Sequence, residues 1–102
     1  MSEADLEVVR RAAAAWAEGG GDARLDARFE EDLEDRWMAI EDLFEAGGRV
    51  VMVFNWGGRG RGSGIEVEER GEAWVFRFAG GKIVQVDEYA NEQEALDAVG
   101  GG

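Results

Sequence analysis

Apolar residues recur at helical spacing in the N-terminal part of the chain. The first apolar stripe consists of Leu6, Val9, Ala13 and Trp16. It predicts an amphipathic helix over about residues 3–18. Glycines at 19–21 end this helix, and a second apolar stripe with acids opposite it predicts another helix over about residues 22–35. The second stripe consists of Leu25, Phe29 and Leu33.

Beyond residue 36 the spacing of apolar residues changes from that of a helix to that of a strand. Four segments rich in β-branched and aromatic residues predict four strands, because such side chains fit a pleated sheet. The strands are expected over about residues 37–44, 49–56, 65–78 and 83–90. Glycine pairs at 47–48 and 80–81 predict tight turns, since glycine adopts positive φ without strain. The segment at 57–64, GGRGRGSG, is predicted to be a flexible connection.

A last helix is predicted over about residues 92–98, with Asn91 as its cap. The order α-α-β-β-β-β-α in a chain of 102 residues predicts a single α+β domain over residues 1–102. Short glycine turns between consecutive strands favour an antiparallel meander, with the helices on one face. The strand at 49–56 is apolar on both of its faces, so both faces of the sheet should be covered.

Composition limits the chemistry that the chain can perform. The net charge of −12 repels phosphates, so neither nucleic acid nor an anionic membrane surface is an expected partner. No apolar run reaches about 18 residues and no export segment is recognisable, so a cytoplasmic location is expected. The chain has no cysteine and no histidine, and no metal or cofactor is predicted. Acid–base chemistry would therefore use carboxylates, Tyr89, Lys82 or bound water.

Residues 49–100 carry several features in a fixed order, as RVVMVFNWGGRGRGSGIEVEERGEAWVFRFAGGKIVQVDEYANEQEALDAVG. A valine-rich strand, a glycine bend ending in Ser-Gly and an aromatic strand come first. A Gly-Lys-Ile hairpin, an acid-plus-Tyr strand end and a Glu-Ala-Leu helix follow. In this order they resemble the SnoaL-like polyketide cyclase branch of the nuclear transport factor 2-like superfamily. The opening SEADLEVVRRAAAAWAEG resembles that family's first helix.

The resemblance implies a curved four-stranded antiparallel sheet, forming a cone-shaped α+β barrel with two N-terminal helices and a short C-terminal helix. The chain is shorter than the family in its N-terminal half. The missing segment normally forms one wall of the cavity and one edge of the sheet. An open sheet edge favours pairing with another chain, so a homodimer or a larger homo-oligomer is predicted.

The resemblance also implies a cavity for an apolar small molecule on one side of the sheet. A three-residue hairpin loop at 80–82 places the aromatic row of the third strand beside the even-numbered residues of the fourth. A two-residue loop would place it beside the odd-numbered ones. The first register gathers the apolar residues together and is preferred. The cavity lining is then predicted to be Met52, Phe54, Trp56, Trp74, Phe76, Phe78, Val84 and Val86.

Two glutamates lie at the end of this apolar row and are the candidate catalytic residues. Glu88 ends the row on the fourth strand, and Glu72 is expected diagonally across from it, within about 8 Å. Enclosed carboxylates at that separation can share a proton and act as general acid and base. The alternative interpretation is that both carboxylates are solvated at the rim of the sheet.

The family's catalytic residues match this chain only in part. In the limonene epoxide hydrolases, which it resembles, the acid at the position of Glu88 works with an Arg and an Asp that Phe54 and Trp56 replace here. In the polyketide cyclases an Asp on the last strand acts as acid/base, and Glu88, or alternatively Asp87, could stand in for it.

Two hypotheses for the function remain. One is a non-catalytic, self-associating module with an apolar cavity, and the other is a cofactor-independent cyclase, isomerase or hydrolase that uses Glu88.

Overall fold

The computed structural model describes residues 3–18 and 33–101. The elements are α1 (Glu3–Ala17), β1 (Leu33–Ala46), β2 (Arg49–Gly60), β3 (Glu66–Ala79), β4 (Lys82–Tyr89) and α2 (Glu92–Gly101). The strands form one antiparallel sheet in the order β1-β2-β3-β4. The predicted α+β class and antiparallel meander are therefore confirmed. The sheet is open rather than closed into the predicted cone-shaped barrel, because within the described ranges its outer strands β1 and β4 each pair with one neighbour.

The second predicted helix, over 22–35, lies mainly on residues 19–32, which are outside the described residues. Its last three residues were assigned wrongly, since they belong to β1, where Leu33 pairs with Gly60. Leu33 is buried in the core, and Asp35 has a φ of 51° beside a shift in the strand register. The described N-terminal residues thus contain one helix.

The two helices cover opposite faces of the sheet, contrary to the prediction that the helices share one face. Alternate residues of a strand point to opposite faces, and β2 therefore has one apolar row for each helix. On the α1 face, the buried core consists of Val9, Ala13, Trp16, Leu33, Val50, Met52, Phe54, Trp74, Phe76, Ile83 and Val86. On the α2 face, it consists of Val51, Val53, Ala73, Val75 and Ala95. The prediction that both faces are covered is confirmed.

The glycine-rich segment after residue 56 is largely strand, so the predicted flexible connection at 57–64 was wrong for its first half. β2 continues to Gly60, and Gly57 and Gly58 pair with Glu68 and Val67. Close packing explains the glycine at 57. A Cβ there would lie 2.6 Å from the carbonyl oxygen of Val67 and 2.7 Å from the indole nitrogen of Trp37.

The β3–β4 hairpin uses both of the registers that the sequence allows. Next to the turn, Phe78 pairs with Ile83 across a two-residue loop. The register then shifts, so that farther along Phe76 pairs with Val86. Val84 is the extra residue in this bulge and is 54% exposed, whereas Ile83 is 5% exposed. The preferred register was therefore correct beyond the bulge and wrong beside the turn.

The last helix begins where the sequence predicts. The backbone N–H of Glu94 donates to Oδ1 of Asn91 at 2.9 Å, which satisfies one of the free donors at the start of α2. The predicted cap is confirmed. Neither described helix is long and apolar enough to cross a membrane.

Candidate functional site

The residues predicted to line a cavity lie mostly on the α1 face, where they form a filled core. Met52, Phe54, Trp74 and Phe76 are each 0% exposed. Trp56 and Phe78 are partly buried against the same cluster, and Val86 is 2% exposed. The aromatic rings pack on one another, with the Phe54 and Trp74 rings edge to face at a centroid distance of 5.1 Å. Val84 does not belong to this set, because the bulge turns it towards solvent.

Helix α1 is held over this core by Trp16 and Arg36. The Trp16 ring packs edge to face on Trp56, with the centroids 6.2 Å apart. The Arg36 guanidinium lies 4.6 Å from the centre of the Trp16 ring, and its Nε donates to the Trp16 carbonyl at 2.7 Å. A cation at the last carbonyls of a helix is favourable, because these groups carry partial negative charge. These contacts fix the C-terminal end of α1 against β1 and β2.

Glu72 is fixed by two tryptophans at the end of the core. The indole N–H of Trp56 donates to Oε1 at 2.9 Å, and the indole N–H of Trp74 donates to Oε2 at 2.7 Å. Both carboxylate oxygens therefore satisfy buried or partly buried donors, which is the usual requirement for polar groups in a core. The geometry gives Glu72 a positioning role for the two indoles.

Glu88 lies on the same face as Glu72, as the preferred register predicts, because it pairs directly with Trp74. Its side chain is exposed rather than enclosed in an apolar site. The structure thus brings the two glutamates to one end of the α1 face, with one held by indoles and the other at the solvent boundary. Among the described residues, no group of three acidic side chains is placed to hold a metal ion.

An open cleft of about 490 Å³ lies elsewhere, at the end of the sheet near the β2–β3 turn. It is lined by Asp35, Trp37, Gly58, Arg59, Glu66, Val67 and Glu68. Trp37 pairs with Gly57, and Gly57 has no side chain to separate the indole from the strand. The missing Cβ therefore lets the Trp37 ring lie against β2 and form an aromatic wall.

Charged side chains of both signs border this cleft. Arg59 pairs with Asp35 at 3.3 Å, and Arg70 pairs with Glu68 at 2.6 Å. The hydrogen bond and the charge of Glu68 raise the pKa of Arg70 above its usual value. The lining itself carries three carboxylates and one guanidinium, and it is therefore acidic on balance.

The cleft was not among the predicted sites, although the sequence contains a feature that indicates it. A tryptophan in one strand and a Gly-Gly pair in the next are typical of an aromatic ring that packs across a strand lacking side chains. That interpretation requires the glycines to be in the strand. Because residues 57–64 were predicted to be a flexible connection, Gly57 was not recognised as the strand residue against which Trp37 packs.

No protein-family model and no curated protein matches the chain. Among solved structures, the fold is similar to that of AclR from Streptomyces galilaeus, described as "a putative hydroxylase". The TM-score is 0.69 at 15% sequence identity, over 95% of this chain and 81% of that one. At this identity the likeness shows the fold alone.

Proposed function

We propose that this chain is a non-catalytic domain that binds a small molecule in the open cleft beside Trp37, which we call the Trp37 cleft. The observation that carries the proposal is an opening of about 490 Å³ lined by the Trp37 indole and by charged side chains of both signs. Small-molecule sites are usually concave and have a size of about 300–1,000 Å³, with a few polar groups that orient the ligand. The proposed site differs from the cavity predicted on the α1 face, since most of the residues predicted to line that cavity are part of the α1-face core.

The state of the two candidate catalytic glutamates supports a non-catalytic function. Glu72 accepts hydrogen bonds at both oxygens, so transferring a proton through it would disrupt its bonds to Trp56 and Trp74. Glu88 is exposed to water, which weakens the electrostatic control that an acid–base residue gains from an enclosed site. Neither carboxylate has the surroundings that proton transfer to an apolar substrate favours.

Binding in the cleft can be tested by NMR with a library of small polar aromatic compounds. We expect compounds that bind to shift the indole N–H resonance of Trp37 and the amide resonances of Gly58 and Arg59. Trp37→Leu should abolish binding, whereas Tyr89→Leu, which alters a partly buried aromatic residue near α2, should preserve it. Compounds that shift Trp56 and Phe78 but not Trp37 would place the site on the α1 face and contradict the proposal.

The alternative function is a cofactor-independent cyclase, isomerase or hydrolase that uses Glu88. It is supported by the placement of Glu88 opposite Trp74, in a fold similar to that of AclR, "a putative hydroxylase". Once a turnover is found, Glu88→Gln decides between the functions. A loss of at least about 100-fold in kcat is expected of a general acid or base. An unchanged kcat would exclude Glu88 from that role.

We also propose that the chain self-associates through the edge of β1. This strand has 14 residues, and within the described ranges it pairs with β2 alone. Its acids, Glu34, Asp35, Glu41, Asp42 and Glu45, oppose the approach of a second copy, as charges on edge strands commonly do. Salt screens such repulsion, so sedimentation equilibrium should show more dimer as the NaCl concentration rises. A monomer at every salt concentration would contradict this proposal.

A further inference from the structure

We infer that the Trp37 cleft selects an organic cation, namely an alkylated ammonium group attached to a planar ring. The inference rests on the proposed function, because it assigns a ligand class to the same cleft. Three features of the cleft carry it: the indole of Trp37, the excess of carboxylates in the lining, and the ion pairs that leave Glu66 as an available acid.

The aromatic wall is the first feature. An indole offers a negative π face, and of the aromatic side chains it attracts cations most strongly. The Trp37 ring is held in place by close approach to β2, since its Nε1 and Cε2 atoms lie 2.7 and 2.8 Å from where a Cβ of Gly57 would be. A ring fixed in this way loses little conformational freedom when a ligand stacks on it.

The charge balance is the second feature. The lining carries Asp35, Glu66 and Glu68 against the single cation Arg59. The whole chain carries a net charge of −12, which raises the concentration of cations near its surface and repels anions. An anionic or neutral ligand would gain nothing from this field.

The arrangement of ion pairs is the third feature. Asp35 is paired with Arg59, and Glu68 is paired with Arg70. Among the described residues Glu66 forms no ion pair, and it lies beside Arg59 in the paired strands. A ligand cation stacked on Trp37 could therefore approach the Glu66 carboxylate without displacing either arginine.

The test is NMR titration with three probes of similar shape: benzyltrimethylammonium, benzyl alcohol and benzoate. We expect the cation alone to shift the Trp37 indole resonance, with a Kd on the order of 1 mM because exposed cation–π and ion-pair contacts are individually weak. Glu66→Gln should weaken cation binding about two- to five-fold. Glu94→Gln removes the same charge from an exposed position on α2, away from the cleft, and should leave the Kd nearly unchanged.

The outcomes separate the ligand class from the proposed function. Equal binding of all three probes at Trp37 would support a site in the cleft and overturn the assignment of a cation. An equal effect of Glu66→Gln and Glu94→Gln would also overturn it, because attraction would then come from the overall charge. No shift of Trp37 with these probes or with the compound library would overturn both proposals.

Discussion

Asn55 and Gly71 are joined by a hydrogen bond across the centre of the sheet, in which the Gly71 N–H donates to Asn55 Oδ1 at 2.9 Å. Gly71 has a φ of 74° and lies where the β2–β3 register shifts. On the other side, Asn55 Nδ2 donates to Glu41 Oε1 at 2.7 Å, where the β1–β2 register shifts. One buried amide therefore holds the bulges of both neighbouring strands.

Replacing Asn55 with Ala should destabilise the fold by about 2–4 kcal/mol, because two hydrogen bonds are lost and polar groups at both bulges lose their partner. Urea denaturation, followed by circular dichroism, measures the change in the free energy of unfolding. Asn55→Asp is the sharper variant, since it retains the acceptor for Gly71 and places a carboxylate against Glu41. Adding Glu41→Gln should restore a donor and recover at least about 1 kcal/mol. Strictly additive effects would show that the two side chains do not interact.

Glu72 should be more important for stability than for any reaction. In Glu72→Gln only one of the two oxygens that accept from the indoles remains, and the amide N–H₂ group faces the other indole donor. We expect a loss of about 1–3 kcal/mol and a changed indole N–H resonance for Trp56 or Trp74. Glu69→Gln alters an exposed acid on the same strand and should cost less than about 0.5 kcal/mol. Equal effects of the two variants would indicate that the indole bonds add no stability.

The bulge in β4 predicts opposite outcomes for two neighbouring apolar residues. Ile83→Ala should cost about 2–4 kcal/mol, because it empties space in the α1-face core, where Ile83 is 5% exposed. Val84→Ala should change stability by less than about 0.5 kcal/mol, because Val84 is 54% exposed. The free energies of unfolding of both variants check this. A larger cost at Val84 would mean that the strand follows the three-residue-loop register beside the turn.

Ile83 and Val84 also show which parts of the fold could be predicted from the sequence and which could not. The alternation of apolar residues located four strands and the two apolar rows of β2, since burial dictates that pattern. It could not locate the bulges, because one inserted residue reverses the face of every residue beyond it and leaves the local composition unchanged. The cleft depends on β2 continuing through Gly57 and Gly58, and propensity alone assigns such glycines to a loop.

Gly57→Ala should damage the cleft and the sheet together, for a steric reason rather than a conformational one. The added Cβ would meet the Val67 carbonyl at 2.6 Å and the Trp37 indole at 2.7 Å, so the ring or the strand must move. Overpacking of this kind typically costs about 1–3 kcal/mol. We expect lower stability in urea and a shifted Trp37 indole resonance.

Variants of two other glycines distinguish a steric cause of the Gly57→Ala effect from a conformational one. Gly71→Ala meets no atom within 4 Å but must adopt a φ of 74°, so it should cost about 1–2 kcal/mol and leave the Trp37 resonance in place. Gly62→Ala, with open space around it and no positive φ, should be nearly neutral. If Gly57→Ala behaves like Gly62→Ala, Trp37 does not pack on β2. The aromatic wall of the cleft would then lack the support from which its ligand preference was inferred.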